Sequence, residues 1–199
     1  MDIKEGAFTF NAEGDDIPGS LYFSRKIHWP GNPSICKDIA SGVTIGRGFD
    51  LGQRTQTESY YHLVSAGVPQ NKAIAISEGA GMRGCDASAF VIQNRDKVGE
   101  ITHSQQANLF RLSFAMYITR AKGFYNKYKN PNAVSWDAMN SRMKDIFIDM
   151  IYQGAMRVRY VPSFERNAPE DVILLIKNTP SLAAYDKSRK RIVYLKEAK

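Results

Sequence analysis

Apolar residues in the first 56 positions come in short runs, each cut by turn formers. Pro18-Gly19, Pro30-Gly31-Asn32-Pro33 and Ser41-Gly42 supply the breaks, a pattern of short strands and turns. Val43-Thr44-Ile45, followed by Gly46, Gly48 and Phe49, reads as a short strand entering a glycine-rich hairpin. Beyond residue 56 the apolar spacing turns helical. Thr57 is placed to cap a helix carrying Tyr60, Tyr61 and Val64 toward Gly67. Pro69 suits the first turn of a helix with Ala73, Ile74 and Ile76. Asp86 is a cap for Phe90, Val91 and Asn94, with Gly99 as the stop. Thr102 or Ser104 opens the longest stretch, through Leu109, Leu112, Phe114, Met116, Tyr117 and Ile118, with Gly123 as a kink point. Ser135 or Asp137 starts another, with Met139, Met143, Ile146, Phe147, Met150 and Ile151. Two short helices follow Pro169 and Pro180, and no fixed-period repeat is present. The pattern predicts one α+β domain over 1–199, with a turn-rich β lobe at 1–56 and a mainly helical lobe at 57–199.

Composition narrows the class. A chain of 199 residues that is 43% hydrophobic and 11% aromatic can bury a sizeable core, which excludes disorder as its main state. No apolar run approaches the roughly 18–20 residues of a membrane span. Met1 to Glu13 carries no secretory-signal pattern, so none is expected. Cys36 and Cys85 cannot build a disulfide framework; one bridge or two thiols both remain open. His28, His62 and His103 lack ligand spacing, so neither a metal nor another cofactor is expected. The 27 Lys and Arg outnumber the 20 Asp and Glu, for a net +7. That charge favours polyanions: nucleic acid, an anionic membrane surface or the acidic polymers of a bacterial envelope. The run at Lys187, Arg189, Lys190 and Arg191 is either a solvated face or a docking patch. It comes without zinc-finger, RNP or Walker motifs, so no nucleic-acid partner is expected.

The stretch Ser41-Gly-Val-Thr-Ile-Gly-Arg-Gly-Phe-Asp-Leu-Gly-Gln53 concentrates the chemistry. Its glycines permit tight backbone geometry, and a loop there can turn Thr44 and Asp50 toward one site. An ordinary hairpin with a capping Asp fits the same residues. The glycine spacing is not a dinucleotide fingerprint, because no strand-then-long-helix unit follows.

Thr44-Ile-Gly-x-Gly resembles the corresponding strand of bacteriophage-type lysozymes. The longer Ser-Gly-Val-Thr-Ile-Gly-Arg-Gly-Phe-Asp-Leu-Gly is more similar still to pesticin-type muramidase domains and lysozyme-like type VI secretion effectors. The resemblance implies a lysozyme-like fold and cleavage of the β-1,4 bond between N-acetylmuramic acid and N-acetylglucosamine. It implies a catalytic set of a Glu closing a first helix, then a Thr and an Asp: Glu13, Thr44 and Asp50. Glu13-Gly14 follows the apolar Phe8 and Phe10; Glu5-Gly6 is a second Glu-Gly pair, nearer the terminus. The interval from Glu13 to Thr44 is longer than in phage lysozymes and holds an insertion, partly filled by Tyr22 to Pro30. Ile101-Thr-x-x-Gln-x-x-x-Leu-Phe110 and Asp145 to Gly154 are similar to C-terminal lobe helices of the same family.

Glycoside hydrolysis needs one protonated carboxyl for the leaving oxygen and one ionised carboxylate for water or the cationic centre. Glu13 takes the first role, with burial raising its pKa; Asp50 takes the second, and Thr44 helps hold the water. The resemblance implies inversion at the anomeric carbon, which calls for carboxyls roughly 6.5–9.5 Å apart. His28 and Trp29 either stack on a sugar ring or anchor a packed loop. Arg47, pointing from the hairpin, either binds substrate carboxylates or joins a surface ion pair. Gln53, with Arg54, is expected at the edge of the site, and Tyr152 and Gln153 facing it. Asp15 and Asp16 read as turn residues or alternative carboxylates; Asp149, inside an apolar helix, reads as buried and paired.

The expectation is a monomeric peptidoglycan hydrolase, an antibacterial effector or phage-type lysin. It would be made in the cytoplasm and delivered to the periplasmic cell wall by a secretion system, a holin or a carrier chain. An immunity protein plugging the site is an expected partner. Rival readings are a lytic transglycosylase or chitinase-like glycosidase, and a non-catalytic module binding peptidoglycan or nucleic acid.

Overall fold

The computed structural model describes residues 3–197. They form two compact units, one of residues 3–5 and 13–114, the other of 6–12 and 115–197. The boundary thus falls between Phe114 and Ala115, not near residue 56. The compositional shift there marks a change of secondary structure inside the first unit. The observed class is α+β: mostly helical, with one two-stranded antiparallel sheet among the described residues.

In the first unit, β1 (Thr44–Ile45) pairs with β2 (Phe49–Asp50). The turn between them holds Gly46 at φ 62° and Gly48 at φ 80°, left-handed conformations that glycine adopts without a Cβ penalty. Helices α2 (Gln56–Ser65), α3 (Gln70–Ser77) and α4 (Gly84–Val98) follow, and α5 (His103–Tyr128) runs unbroken through Gly123. Val43, Ile45, Phe49 and Leu51 of the hairpin share a buried core with Ile27, Leu63, Ile76, Val91, Ile101 and Leu109. The caps differ in detail from the sequence pattern. Thr55, not Thr57, caps α2 by accepting from the Glu58 N–H. Asp86 lies inside the first turn of α4, where its charge still suits the helix dipole. Thr102 does cap α5, in a reciprocal box with Gln105: N–H to Oγ1 at 3.1 Å and N–H to Oε1 at 2.8 Å.

A disulfide joins Cys36 to Cys85, closing a loop across 49 positions. It ties the short 3-10 segment Pro33–Asp38 to the start of α4. The two cysteines left open by the sequence are therefore one bridge.

The second unit contains α1 (Ala7–Ala12), α6 (Ser141–Tyr152), α7 (Pro169–Asn178), α8 (Pro180–Arg189) and α9 (Arg191–Lys196). Its centre is Phe147, whose ring meets Tyr125, Trp136 and Phe164 edge-on at 4.9–5.6 Å, a favoured aromatic geometry. Helix α6 starts later than Ser135 or Asp137 suggested, because Asn140 accepts from the Arg142 and Met143 N–H groups. Pro169 and Pro180 open α7 and α8 as expected; α9 is additional. Asp149 is fully buried and takes Arg189 at 2.5 Å on one oxygen and Arg191 at 2.5 Å on the other. Burial pushes the Arg191 guanidinium below its usual value, and the Asp149 charge opposes that push. Two members of the basic run are thus interior, not a solvated face.

Two outcomes follow. Reducing the disulfide is expected to lower stability by about 2–4 kcal/mol, read as a lower urea midpoint with reductant than without. Asp149→Ala leaves two buried cations without their counter-charge and is expected to cost about 3–5 kcal/mol, read as a fall in Tm by calorimetry; an unchanged Tm would refute that role for the cluster.

Candidate functional site

The hairpin register sets Thr44 directly opposite Asp50. On the other side of β1, His28 pairs with Thr44 in an antiparallel bridge, and the two residues exchange N–H···O bonds of 2.8 Å in both directions. Directly opposed residues project to one face, with Cβ atoms about 4.5–5.5 Å apart. His28, Thr44 and Asp50 therefore form a polar row across three extended segments. The alternate residues Val43, Ile45, Phe49 and Leu51 enter the core.

Each member of the row is fixed. The Asp50 Oδ1 accepts from the Gly52 N–H at 2.6 Å and Oδ2 from the Gly42 N–H at 3.3 Å. The backbones of Gly42 and Gly52 pass so closely that a Cβ on Gly42 would collide with Gly52 and with the carboxylate. The capping reading of Asp50 is thus physically present, in the same place as the predicted catalytic one. Thr44 is buried, and its hydroxyl donates to the Gly42 carbonyl at 3.2 Å, which leaves its lone pairs to accept. The His28 Nδ1 lies 3.1 Å from the Lys26 carbonyl. A carbonyl only accepts, so Nδ1 carries the proton and Nε2 the lone pair. Burial, with the positive charge of Arg95, holds the imidazole below its ordinary pKa; the Lys26 carbonyl and the Asp50 charge oppose this.

Glu13 is the residue immediately after α1 and is half-buried, whereas Glu5 is exposed in the turn before that helix. The negative charge of Glu13 acts on Arg47. Arg47 is only 6% exposed, so it does not point out of the hairpin. Its guanidinium turns inward, donating through Nη1 to the Gly14 carbonyl and through Nη2 to Asp16 at 3.1 Å. It ties the hairpin turn to the segment after Glu13.

Asp16 is the hub of that tie. Its Oδ1 accepts from Gln106 at 2.6 Å and pairs with Arg25 at 3.2 Å; its Oδ2 faces His103 at 2.9 Å as well as Arg47. Burial works against its charge, but the His103 and Gln106 hydrogen bonds and the Arg47 charge prevail and hold its pKa below the ordinary value. Asp15 is the turn residue of the pair, accepting from the Ile17 N–H at 3.0 Å and Ser20 Oγ at 2.6 Å.

The remaining predicted residues sit as follows. Trp29 is a packed anchor: its Nε1 donates to the Ser41 carbonyl at 2.9 Å, and Gly31 lies against its ring. Gln53 is exposed just after Asp50. Arg54 is held by the Asp50 carbonyl and Glu58 and covers the Phe49 ring. Tyr152 and Gln153 belong to the second unit, where Tyr152 meets Tyr117 at 4.3 Å and Gln153 accepts from Arg191 at 2.7 Å. A hollow of about 410 Å³ in that unit, beside Phe8, Asn11 and Tyr194, contains none of the predicted site residues. Among the described residues no group of three His, Cys, Asp or Glu is placed to hold a metal ion, and no helix is long and apolar enough to cross a membrane.

Residues 6–169 match the model of a protein family described as a domain of unknown function, DUF8812. No curated protein matches the chain.

The Asp16 cluster makes a signed prediction. A carboxylate whose folded pKa is depressed stabilises the fold above its unfolded value and loses that contribution as pH falls through the folded value. Asp16→Asn is expected to cost about 1–3 kcal/mol at pH 7. The gap between variant and parent, followed by thermal unfolding, should close on acidification below about pH 4. A gap that stays constant to pH 2 would refute the ionic part of this account.

Proposed function

The chain belongs to the DUF8812 family, whose description names no activity, and we propose that it is a peptidoglycan hydrolase of the muramidase type with a lysozyme-like fold. The observation that carries the reading is the pairing of Thr44 with Asp50 across a glycine hairpin, in the same compact unit as a half-buried Glu13 that closes a first helix. That order and those residue types are what the resemblance to pesticin-type domains implies. Glu13 protonates the glycosidic oxygen as the C–O bond breaks. Asp50, held by two backbone N–H groups, keeps a fixed orientation toward the water, and Thr44 supplies an acceptor beside it. The reaction inverts the anomeric carbon.

A disulfide suits an oxidising compartment, which supports action in the cell envelope. The net charge of +7 supports attraction to an acidic cell wall. Arg47 drops out of the substrate-binding set, since its guanidinium is spent on Gly14 and Asp16.

Digestion of purified peptidoglycan, with products reduced and read by mass spectrometry, tests the proposal. Wild type is expected to release reducible muramic ends, and Glu13→Gln and Asp50→Asn to lower the rate by at least about 10²-fold. Anhydro-muramic ends would replace the proposal with a transglycosylase. Full activity in Glu13→Gln would remove the named acid, and binding without cleavage by wild type would leave a binding module.

A further inference from the structure

The polar row contains one group that the hydrolysis scheme has not used. His28 stands beside Thr44 through a two-way backbone pairing, and Thr44 stands beside Asp50. The imidazole is oriented by its Nδ1–H on the Lys26 carbonyl, and its Nε2 makes no protein hydrogen bond among the described residues. The carboxylate at the other end of the row has a backbone N–H on each oxygen, and the Thr44 hydroxyl between them already donates to Gly42. On that face the imidazole is the one neutral base, and its basic ring nitrogen has no protein donor on it, whereas each Asp50 oxygen already takes a backbone N–H.

Resting on the hydrolase reading, we propose that His28 is the general base of the reaction, taking the proton of a water held over Thr44, in the middle of the row between the imidazole and Asp50. In the step, the water oxygen bonds to the anomeric carbon as the glycosidic C–O bond breaks. One water proton passes to His28 Nε2, and the Glu13 proton passes to the leaving oxygen. The imidazolium then releases its proton to solvent, and Glu13 regains one. Asp50, across Thr44 from the ring, orients the water, and its charge favours the imidazolium without touching it.

The surroundings suit a base that is neutral before the step. The charged groups that act on the ring are Arg95 of α4 and Asp50 of β2, and Lys26 on its own segment turns its ammonium to Asp96 at 3.0 Å. Arg95 donates to the neighbouring Ile27 carbonyl at 2.7 Å, so its cation is fixed near the imidazole and disfavours early protonation. With Asp50 on the other side, the proton is still accepted once the water is activated. Burial keeps the group in its basic form at pH 7.

His28→Asn is the informative change, because the Asn amide can still donate to the Lys26 carbonyl while Nε2 is removed. On peptidoglycan, kcat is expected to fall by about 10²-fold or more, with KM within about 3-fold and Tm unchanged. The acid limb of the wild-type pH–rate profile should lie below pH 6.5 and vanish in the variant. A second measurement needs no variant: the His28 imidazole, titrated by NMR in the intact protein, must share its midpoint with that acid limb. A variant with wild-type kcat, or a midpoint a full pH unit away from the limb, overturns the proposal. Absence of any glycan cleavage by wild type would instead overturn the hydrolase reading beneath it.

Discussion

Strand register in the hairpin is the constraint on which the first unit depends. Thr44 opposite Asp50, and His28 opposite Thr44, puts one set of side chains in a polar row and the alternate set, Val43, Ile45, Phe49 and Leu51, in the core. A slip of one residue would exchange the two sets on the slipped strand, turning its apolar chains onto the face of the row and its polar ones into the core. The register is pinned at both ends of the hairpin. Gly46 and Gly48 make the turn, and the crossing of Gly42 with Gly52, clamped by the Asp50 carboxylate, closes the open side. Asp50 is therefore at once a fastening of the backbone and a member of the polar row. That double duty explains why a capping reading and a catalytic reading both fit the same residue.

The two units handle buried charge differently. In the second, Asp149 is enclosed with Arg189 and Arg191, a three-body ion cluster whose members are all interior. In the first, Asp16 is shared among Arg25, Arg47, His103 and Gln106 and keeps partial contact with water. The first arrangement specifies how helices α6, α8 and α9 meet; the second joins the hairpin turn, the segment after Glu13 and the start of α5. Neither is a surface ion pair, the kind that contributes little.

Local features were legible in the sequence. Proline at the start of α7 and α8, Gly99 after α4, Thr102 before α5 and the glycine hairpin all depend on neighbours within a few residues, and each appears where its chemistry pointed. Long-range choices were hidden. Nothing near Asp16 announces Gln106 or His103, because the partners are brought together by folding alone. Arg47 looks like an outward residue at a turn, and only the position of Gly14 and Asp16 shows that it turns in. The unit boundary at Phe114 lies inside a helix of uninterrupted pattern, so periodicity has nothing to mark it. His28 is legible as an aromatic neighbour of Trp29, but its pairing with Thr44 is not, because that bridge joins segments 16 residues apart.

The bond between Cys36 and Cys85 encloses β1, β2, α2 and α3 within a single covalent ring. A protease cutting once anywhere between residues 37 and 84 would nick the chain without freeing a fragment. Both new ends would remain tethered through the sulfurs, and the hairpin pairing could re-form around the break. Two cuts would be needed to carry off any part of the polar row on β1 and β2, so long as the surroundings keep the sulfurs oxidised.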